Sequence, residues 1–495
     1  MVDTKENTTE QKQADLVIIG AGAAGLTAAV AASEQGAQKI IILETRGAPG
    51  GNASFVGGIF AAESGLQKRL GIDASTDLLF KKAMGYSHWR ANPRLIRALV
   101  DKSGDTISWL EAKGLSFDRI LPLYPNQVPM VFHFQQKPSK TGAMFVKTFV
   151  KQCEDRGISI VCRTKACQLL TSNSGRVIGV MAETGAKQIR IAAKSVITAT
   201  GGFAGNSDLM VKYLPDYNED EFNFPGIAHN GDGLQMATDI GAASEGLAVL
   251  EINGPAIPGA MALTVLAHQP HTLWVNRLGE RFTDEANPLF PESANSIYRQ
   301  PGKVPYVLFD EKIKQTIYAD QLNPLDQNLM GGPDWFVKAE KELKTQIKKN
   351  TVKMSDNWQE IAAFIGADPE MLTETVNTYN LSCADRHDEI FVKNPKYLLP
   401  LKTPPYYAIR GCLNIMATHG GIKINQDMQA LDKMDRPIAG LYAAGVETGI
   451  KDGDTYDAHL TGHSFGFSVS SGRIAGEKAA EFIKKNHLPY SGSES

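Results

Sequence analysis

Gly20, Gly22 and Gly25 stand in the spacing GxGxxG, after the apolar run DLVII and before an Ala-rich stretch. That pattern suits phosphate binding. The first glycine lets the chain turn, the second lets backbone approach a pyrophosphate, and the third lets helix and strand pack closely. The helix start adds unpaired N–H groups and a positive dipole end. Glu44 closes the next apolar run, 19 positions after Gly25. A carboxylate there accepts from ribose hydroxyls and repels a 2′-phosphate, which favours FAD or NAD over NADP. Three more segments have the same texture: Gly50–Gly51–Asn52, Thr200–Gly201–Gly202, and Gly440 to Gly445 with Glu447. A nicotinamide site needs one phosphate loop, whereas four segments spread along the chain suit the extended FAD molecule. A fifth, Thr461–Gly466, leads into a helix whose N–H groups can face the N1/O2 edge of a flavin. Ser464 is read there either as a cofactor contact or as the cap of that helix.

The elements that must hold these residues follow from pattern. Asp15–Glu44 reads as strand, turn, helix and strand, a βαβ unit. Residues 92–114 have apolar positions at helical spacing. Strands are expected at Ile158–Val161 and Val177–Glu183, with a turn at Ser172–Arg176, and a buried strand over 195–203. From about 250 the texture changes. Thr272–Phe282 reads as a hairpin turning near Leu278–Gly279, and Val304–Glu311 as a strand. Residues 333–390 are mainly helical, with Asp368 and Pro369 opening a helix. The last hundred residues return to short strands and a final Ala-rich helix. The expected fold is α/β: a discontinuous Rossmann-like FAD-binding domain, 15–249 and 392–483, an inserted α+β cap domain, 250–391, and a disordered tail, 1–14.

The 495 residues carry a net charge of −3 and are 43% apolar, which gives no sign of a nucleic-acid partner. No run of 18 apolar residues marks a membrane span. Cys153, Cys162, Cys167, Cys383 and Cys412 form no metal-ligand spacing, and an odd, scattered set reads as reduced thiols of a cytoplasmic protein. No metal is expected.

The combination GAGAAG…E, PGGNAS (49–54), ATGGF (199–203), NGDG (230–233), NRLGERFTDE (276–285), GLYAAGVETG (440–449) and SGRIAGEKAA (471–480) resembles the flavoprotein family of fumarate reductases and 3-ketosteroid dehydrogenases, over residues 15–482. The resemblance implies FAD between two domains and a mobile cap. It implies contacts to FAD from Gly20, Gly22, Ala23, Ala24, Gly25, Glu44, Thr45, Gly50, Gly51, Asn52, Ser54, Gly57 and Gly58. Later contacts are Ala166, Ala199, Thr200, Gly201, Gly202, Asn206, Asp232, Gly445, Glu447, Ser464 and Phe465. Membrane-bound relatives attach FAD through a histidine in the early glycine segment. Here that stretch reads Gly51–Asn52–Ala53–Ser54, so noncovalent FAD is expected. With no haem module and no covalent FMN segment, electrons are expected from a separate donor: NAD(P)H, a reduced flavin or a redox partner.

Reducing an activated alkene requires a hydride at one carbon and a proton at the other. In the fumarate reductases the resemblance points to, an arginine four residues after the Glu of the FxNE segment is the acid. Here Arg281–Glu285 keeps the segment, but Leu289 holds that position. In an ungapped reading His268 replaces the cap arginine and His459 the late one, while Ala417 replaces a histidine, with His419 two residues on. A dicarboxylate would enter this cleft without arginine partners, at a cost of several kcal/mol. The expected substrate is therefore a non-dicarboxylate alkene, of the hydroxycinnamate or vinylphenol kind, or an enone. Candidate acids are His459 and His268, the tyrosines Tyr298 and Tyr456 by likeness to the ketosteroid enzymes, and Arg299. A steroid-type dehydrogenase, a fumarate reductase with a displaced arginine and an electron-transfer subunit remain the alternatives.

Overall fold

The structure, a computed structural model, describes residues 9–121, 130–134, 141–227, 229–287, 290–320, 322 and 334–449, and 451–486. Residues 1–8 of the expected tail and Leu289 lie outside the described residues.

The apolar run Leu16–Ile19 is buried on both faces, as the interior of a parallel sheet requires. Strand Glu10–Ile19 lies between Ile40–Leu43 and Lys187–Thr198, and Ser159–Val161 and Pro437–Ala443 extend the sheet on either side, all parallel. Their carboxyl ends point to one edge, where the glycine turns begin. The opening strand starts at Glu10, so residues 10–14 are not tail. Their polar side chains are mostly exposed, but their backbone pairs with the long strand from Glu10↔Ile189 onward. That strand ends at Thr198 and begins at Lys187, earlier than its apolar core suggests. Its first half also pairs with Val177–Thr184, which pairs in turn with Lys165–Thr171.

Helix Ala23–Glu34 packs on the final helix, His463–Lys485, through small residues. A Cβ at Gly476 would stand 2.2 Å from the Ala28 carbonyl oxygen, and one at Gly472 would stand 2.3 Å from that of Ala24. Both obstacles are backbone. Gly476→Leu is therefore expected to destabilise the protein by roughly 3 kcal/mol or more and to release cofactor, because both helices present their N-termini to one cavity. Thermal unfolding and the flavin content of the variant check this.

The inserted unit holds the antiparallel sheet of Leu273–Val275, Tyr306–Asp310, Tyr406–Arg410 and Val352–Ser355. Helices Glu311–Ala319, Trp335–Lys348, Trp358–Ile365 and Pro369–Asp385 surround it. Asp368 caps the last of these, accepting from Glu370 and Met371 N–H. This sheet thus takes in a strand, Tyr406–Arg410, that follows the expected boundary at 391. The stretch before 410 reads as generic strand, and nothing local says which sheet it joins. The expected hairpin at 272–282 is a single bridge, Val275↔Arg281. Arg281 instead reaches Glu285 at 2.9 Å and Asp388 at 2.8 Å, and Lys393 joins Glu285 at 3.1 Å. The NRLGERFTDE motif therefore ties the cap together. Strands Leu250–Ala256 and Cys412–Thr418 pair where the two units meet.

Candidate active site

A cavity of about 900 Å³ opens at the carboxyl ends of the parallel strands and is closed on its far side by segments from the cap junction. That size is near the top of the usual range for ligand pockets, about 300–1,000 Å³, as a dinucleotide with a substrate beside it requires. Of the residues expected to touch cofactor, Gly20, Gly22, Ala23, Ala24, Glu44, Thr45, Gly51, Asn52, Gly57 and Gly58 line it. So do Ala166, Ala199, Thr200, Gly201, Asp232, Gly445, Ser464 and Phe465. A Cβ at Gly22 would meet nothing within 4 Å, so the start of helix Ala23–Glu34 is bare backbone facing the cavity. Glu44 is fixed by accepting from Ala21 N–H at 2.9 Å and Arg46 N–H at 2.8 Å. The final helix begins at His463 with Gly462 as its left-handed N-cap. Ser464 is therefore not the cap, and it faces the cavity from the first turn. These features fit FAD, with its phosphates at the first helix and its ring at the last.

Six expected contacts lie off the wall. Gly25 packs against Gly20, where a Cβ would stand 1.9 Å from the carbonyl oxygen. Gly50 donates its N–H to Ala21 at 2.8 Å, tying the two glycine turns together, and Ser54 lies beside it. Gly202 packs on Thr418. Asn206 caps helix Ser207–Tyr213. Glu447 turns inward and accepts from Thr200 N–H at 3.0 Å, while its neighbour Val446 faces the cavity. Burial pushes the Glu447 carboxyl up to about 7. The folded chain therefore holds a proton that the unfolded chain releases above about 4.5, so this group's contribution falls as pH rises from 4.5 to 7 and stays low beyond. The stability of the wild type relative to Glu447→Gln is expected to drop by on the order of 3 kcal/mol between pH 4.5 and 8. Denaturant midpoints at the two pH values check this; a gap independent of pH contradicts it.

Among the catalytic candidates, Tyr456 lines the cavity. His459, two residues past Asp457, turns away, packs at a tilt against Tyr86 with ring centroids 4.8 Å apart and lies 3.3 Å from Asp457, whose carboxylate raises its pKa. His268 sits in the cap against Trp274, with Nδ1 2.8 Å from the Thr264 carbonyl; burial lowers its pKa. Tyr298 packs near Phe222 and Lys303, and Arg299 is exposed. None of these four borders the cavity.

Behind Tyr456 lies a buried charge cluster that sequence reading did not assemble. Asp452 accepts from His419 Nδ1 at 2.8 Å, His463 Nε2 at 2.5 Å and Lys451 Nζ at 2.6 Å. His419 Nε2 donates to Glu251 at 2.8 Å, and Glu251 is on the cavity wall. Tyr456 stacks on His463 at 4.5 Å and meets His419 edge-on at 5.1 Å. Burial opposes charge on Asp452, but Lys451, His463 and His419 outweigh it and hold the carboxyl well below its usual range. Burial and Lys451 oppose the His419 imidazolium, and Asp452 and Glu251 outweigh them, so its pKa is raised. Ligand atoms of His419, Asp452 and His463 lie within 4.8 Å of one another, a spacing that suits a metal. Lys451 already supplies the cation there. The only sequence signal for the cluster was the density of polar residues, Lys451, Asp452, Tyr456 and His463, just before the last helix.

A glycine turn under a helix start, a carboxylate at the end of the next strand and a second helix start at the far end of one cavity suit a dinucleotide. The sequence matches the family described as FAD binding domain over residues 15–453. The chain belongs to that family, FAD is its cofactor, and it is an FAD-dependent oxidoreductase whose kin include reductases of C=C bonds. It is 29% identical to the vinyl phenol reductase of Lactiplantibacillus plantarum over 96% of this chain and 98% of that one. It is also 29% identical to the fumarate reductase (cytochrome) of Shewanella frigidimarina, over 95% of this chain and 78% of that one. The 3-ketosteroid-Δ4-(5α)-dehydrogenase of Rhodococcus jostii RHA1 shares the fold, with a TM-score of 0.74 at 22% identity over 97% of this chain and 99% of that one. Among the described residues no helix is long and apolar enough to cross a membrane.

Proposed function

We propose that the chain reduces the C=C bond of an aromatic, non-dicarboxylate alkene of the vinylphenol or hydroxycinnamate kind. Electrons come from a separate donor: NAD(P)H, a reduced flavin or a redox partner. One observation carries this reading. Where the wall is formed by Tyr456, Glu251, Asn253, Pro291, Met416 and Ala417, it has no arginine or lysine among the described residues; Arg46, the one such side chain on the wall, follows Glu44. A dicarboxylate brought there would leave its charges unpaired. The vinyl phenol reductase, similar along nearly the whole of both chains, supports the same substrate class.

FAD, when bound and reduced, supplies the hydride. The chain's own residues supply the rest. The start of the final helix, at Ser464 and Phe465, would hold the ring edge through backbone N–H groups and favour negative charge there. The Tyr456 hydroxyl would give a proton to the second alkene carbon. Solvent would restore that proton, with His419 and His463 packed against the Tyr456 ring and Asp452 holding both imidazoles in place. FAD would be held without a covalent bond, since Gly51–Ser54 offers no histidine. The free thiols support a reducing, cytoplasmic setting.

The test is to reduce the purified protein anaerobically and add alkenes one at a time, following the return of oxidised-flavin absorbance. Vinylphenol or hydroxycinnamate is expected to outpace fumarate by at least about 100-fold. If fumarate alone reoxidises the protein, the displaced-arginine reading replaces this one. If a steroid enone alone does so, the dehydrogenase reading replaces it.

A further inference from the structure

Resting on that reading, we infer that Glu251 binds the ring hydroxyl of a phenolic alkene and takes its proton as the alkene is protonated, so that the substrate class is para-hydroxylated styrenes.

The strand geometry puts Glu251 in position. In a regular strand alternate residues face opposite sides. Strand Leu250–Ala256 has a register shift between Glu251 and Ile252, and three consecutive residues, Glu251, Ile252 and Asn253, line the cavity. A bulge re-aims side chains in this way. The Glu251 side chain is 23% exposed while its partner His419 is fully buried. His419 binds Oε2, and among the described residues no hydrogen bond engages Oε1. The positive groups of the cluster all lie behind Glu251, so what the cavity meets is a carboxylate acceptor. Its neighbours on the wall include the apolar Ile252, Met416 and Ala417 and the amide of Asn253. A carboxylate acceptor on that wall suits a ring bearing a hydrogen-bond donor, which an ether at that point does not offer.

The chemistry gives the acceptor a task. A vinyl group on a phenol is electron-rich and is a poor target for hydride. When Glu251 takes the phenol proton and Tyr456 gives its proton to the terminal CH2, ring electrons shift and the substrate becomes a para-quinone methide. Its benzylic carbon is electrophilic. Addition of the hydride of the proposed reaction there restores the aromatic ring as a phenolate, which recovers its proton from Glu251. The tyrosinate recovers its proton from solvent, since both His419 ring nitrogens are taken by Asp452 and Glu251. The sum is one hydride and one proton added across the C=C bond.

Two comparisons test this on the holoprotein, prereduced without oxygen. Wild type is offered 4-vinylphenol and 4-methoxystyrene, which match in shape but differ in the O–H. The first is expected to reoxidise the flavin faster by about 10³-fold or more. Glu251→Gln, which keeps size and the bond to His419, is expected to slow 4-vinylphenol by about 10²–10⁴-fold while retaining FAD. If wild type uses both styrenes equally, or Glu251→Gln matches wild type, the role of Glu251 fails and the broader functional reading stands. If no aromatic alkene reoxidises wild type, that reading fails and the inference fails with it.

Discussion

Tyr456→Phe is expected to slow flavin reoxidation by an aromatic alkene about 10²–10⁴-fold and to leave FAD bound. The ring stays: phenylalanine keeps the stack on His463 at 4.5 Å and the edge contact to His419. Only the oxygen proposed to carry the proton is lost. His459→Ala provides the contrast. That residue shares the same loop but packs against Tyr86, outside the cavity, so its loss should leave the rate close to wild type. Single-turnover rates of the two prereduced variants separate the assignments. A slow His459→Ala and a fast Tyr456→Phe would reverse them.

The second large effect belongs to Asp452. Its carboxylate is fully buried and is the shared counter-charge of His419, Lys451 and His463. Asn in its place keeps the shape but removes the charge, leaving Lys451 and the His419 imidazolium facing each other without it. Breaking a buried pair by removing one partner costs about 3–5 kcal/mol, so Asp452→Asn should unfold several degrees lower. A pH dependence follows from His419. Its raised pKa means its ion-pair contribution is complete below the ordinary histidine range and is lost as pH rises through the raised value. In Asp452→Asn the largest attractive cause of that shift is gone, so the Tm difference from wild type should be widest at acid pH and narrow as pH rises. Calorimetry of both proteins across pH 5 to 9 reads this, and a constant difference would contradict it.

Much of the cofactor half was legible because local pattern and tertiary role coincide there. DLVII, GAGAAG and the Ala-rich helix each favour the conformation the sheet needs, and Glu44 sits at the end of a strand whose length is set by its apolar run. Errors arose where one residue of offset changes the direction of a side chain. Glu447 was read as a contact, but Val446 faces the cavity. His459 headed the candidate acids, but of the five candidates it is Tyr456 that borders the cavity. Asn206 looked like a polar contact and is a helix cap. Glu251 was invisible because a bulge, not alternation, aims it. The charge cluster brings together Glu251, His419 and Asp452 from three distant segments, and no spacing along the chain encodes that meeting.

The most direct measurement of the ring end of this cavity is a crystal structure of the oxidised holoprotein with 4-ethylphenol. The account predicts the flavin ring against Ser464 and Phe465, the phenol oxygen within about 3 Å of a Glu251 oxygen, and the ethyl group beside Tyr456. A phenol oxygen turned away from Glu251, or a flavin ring lodged elsewhere than at the start of the final helix, would contradict it.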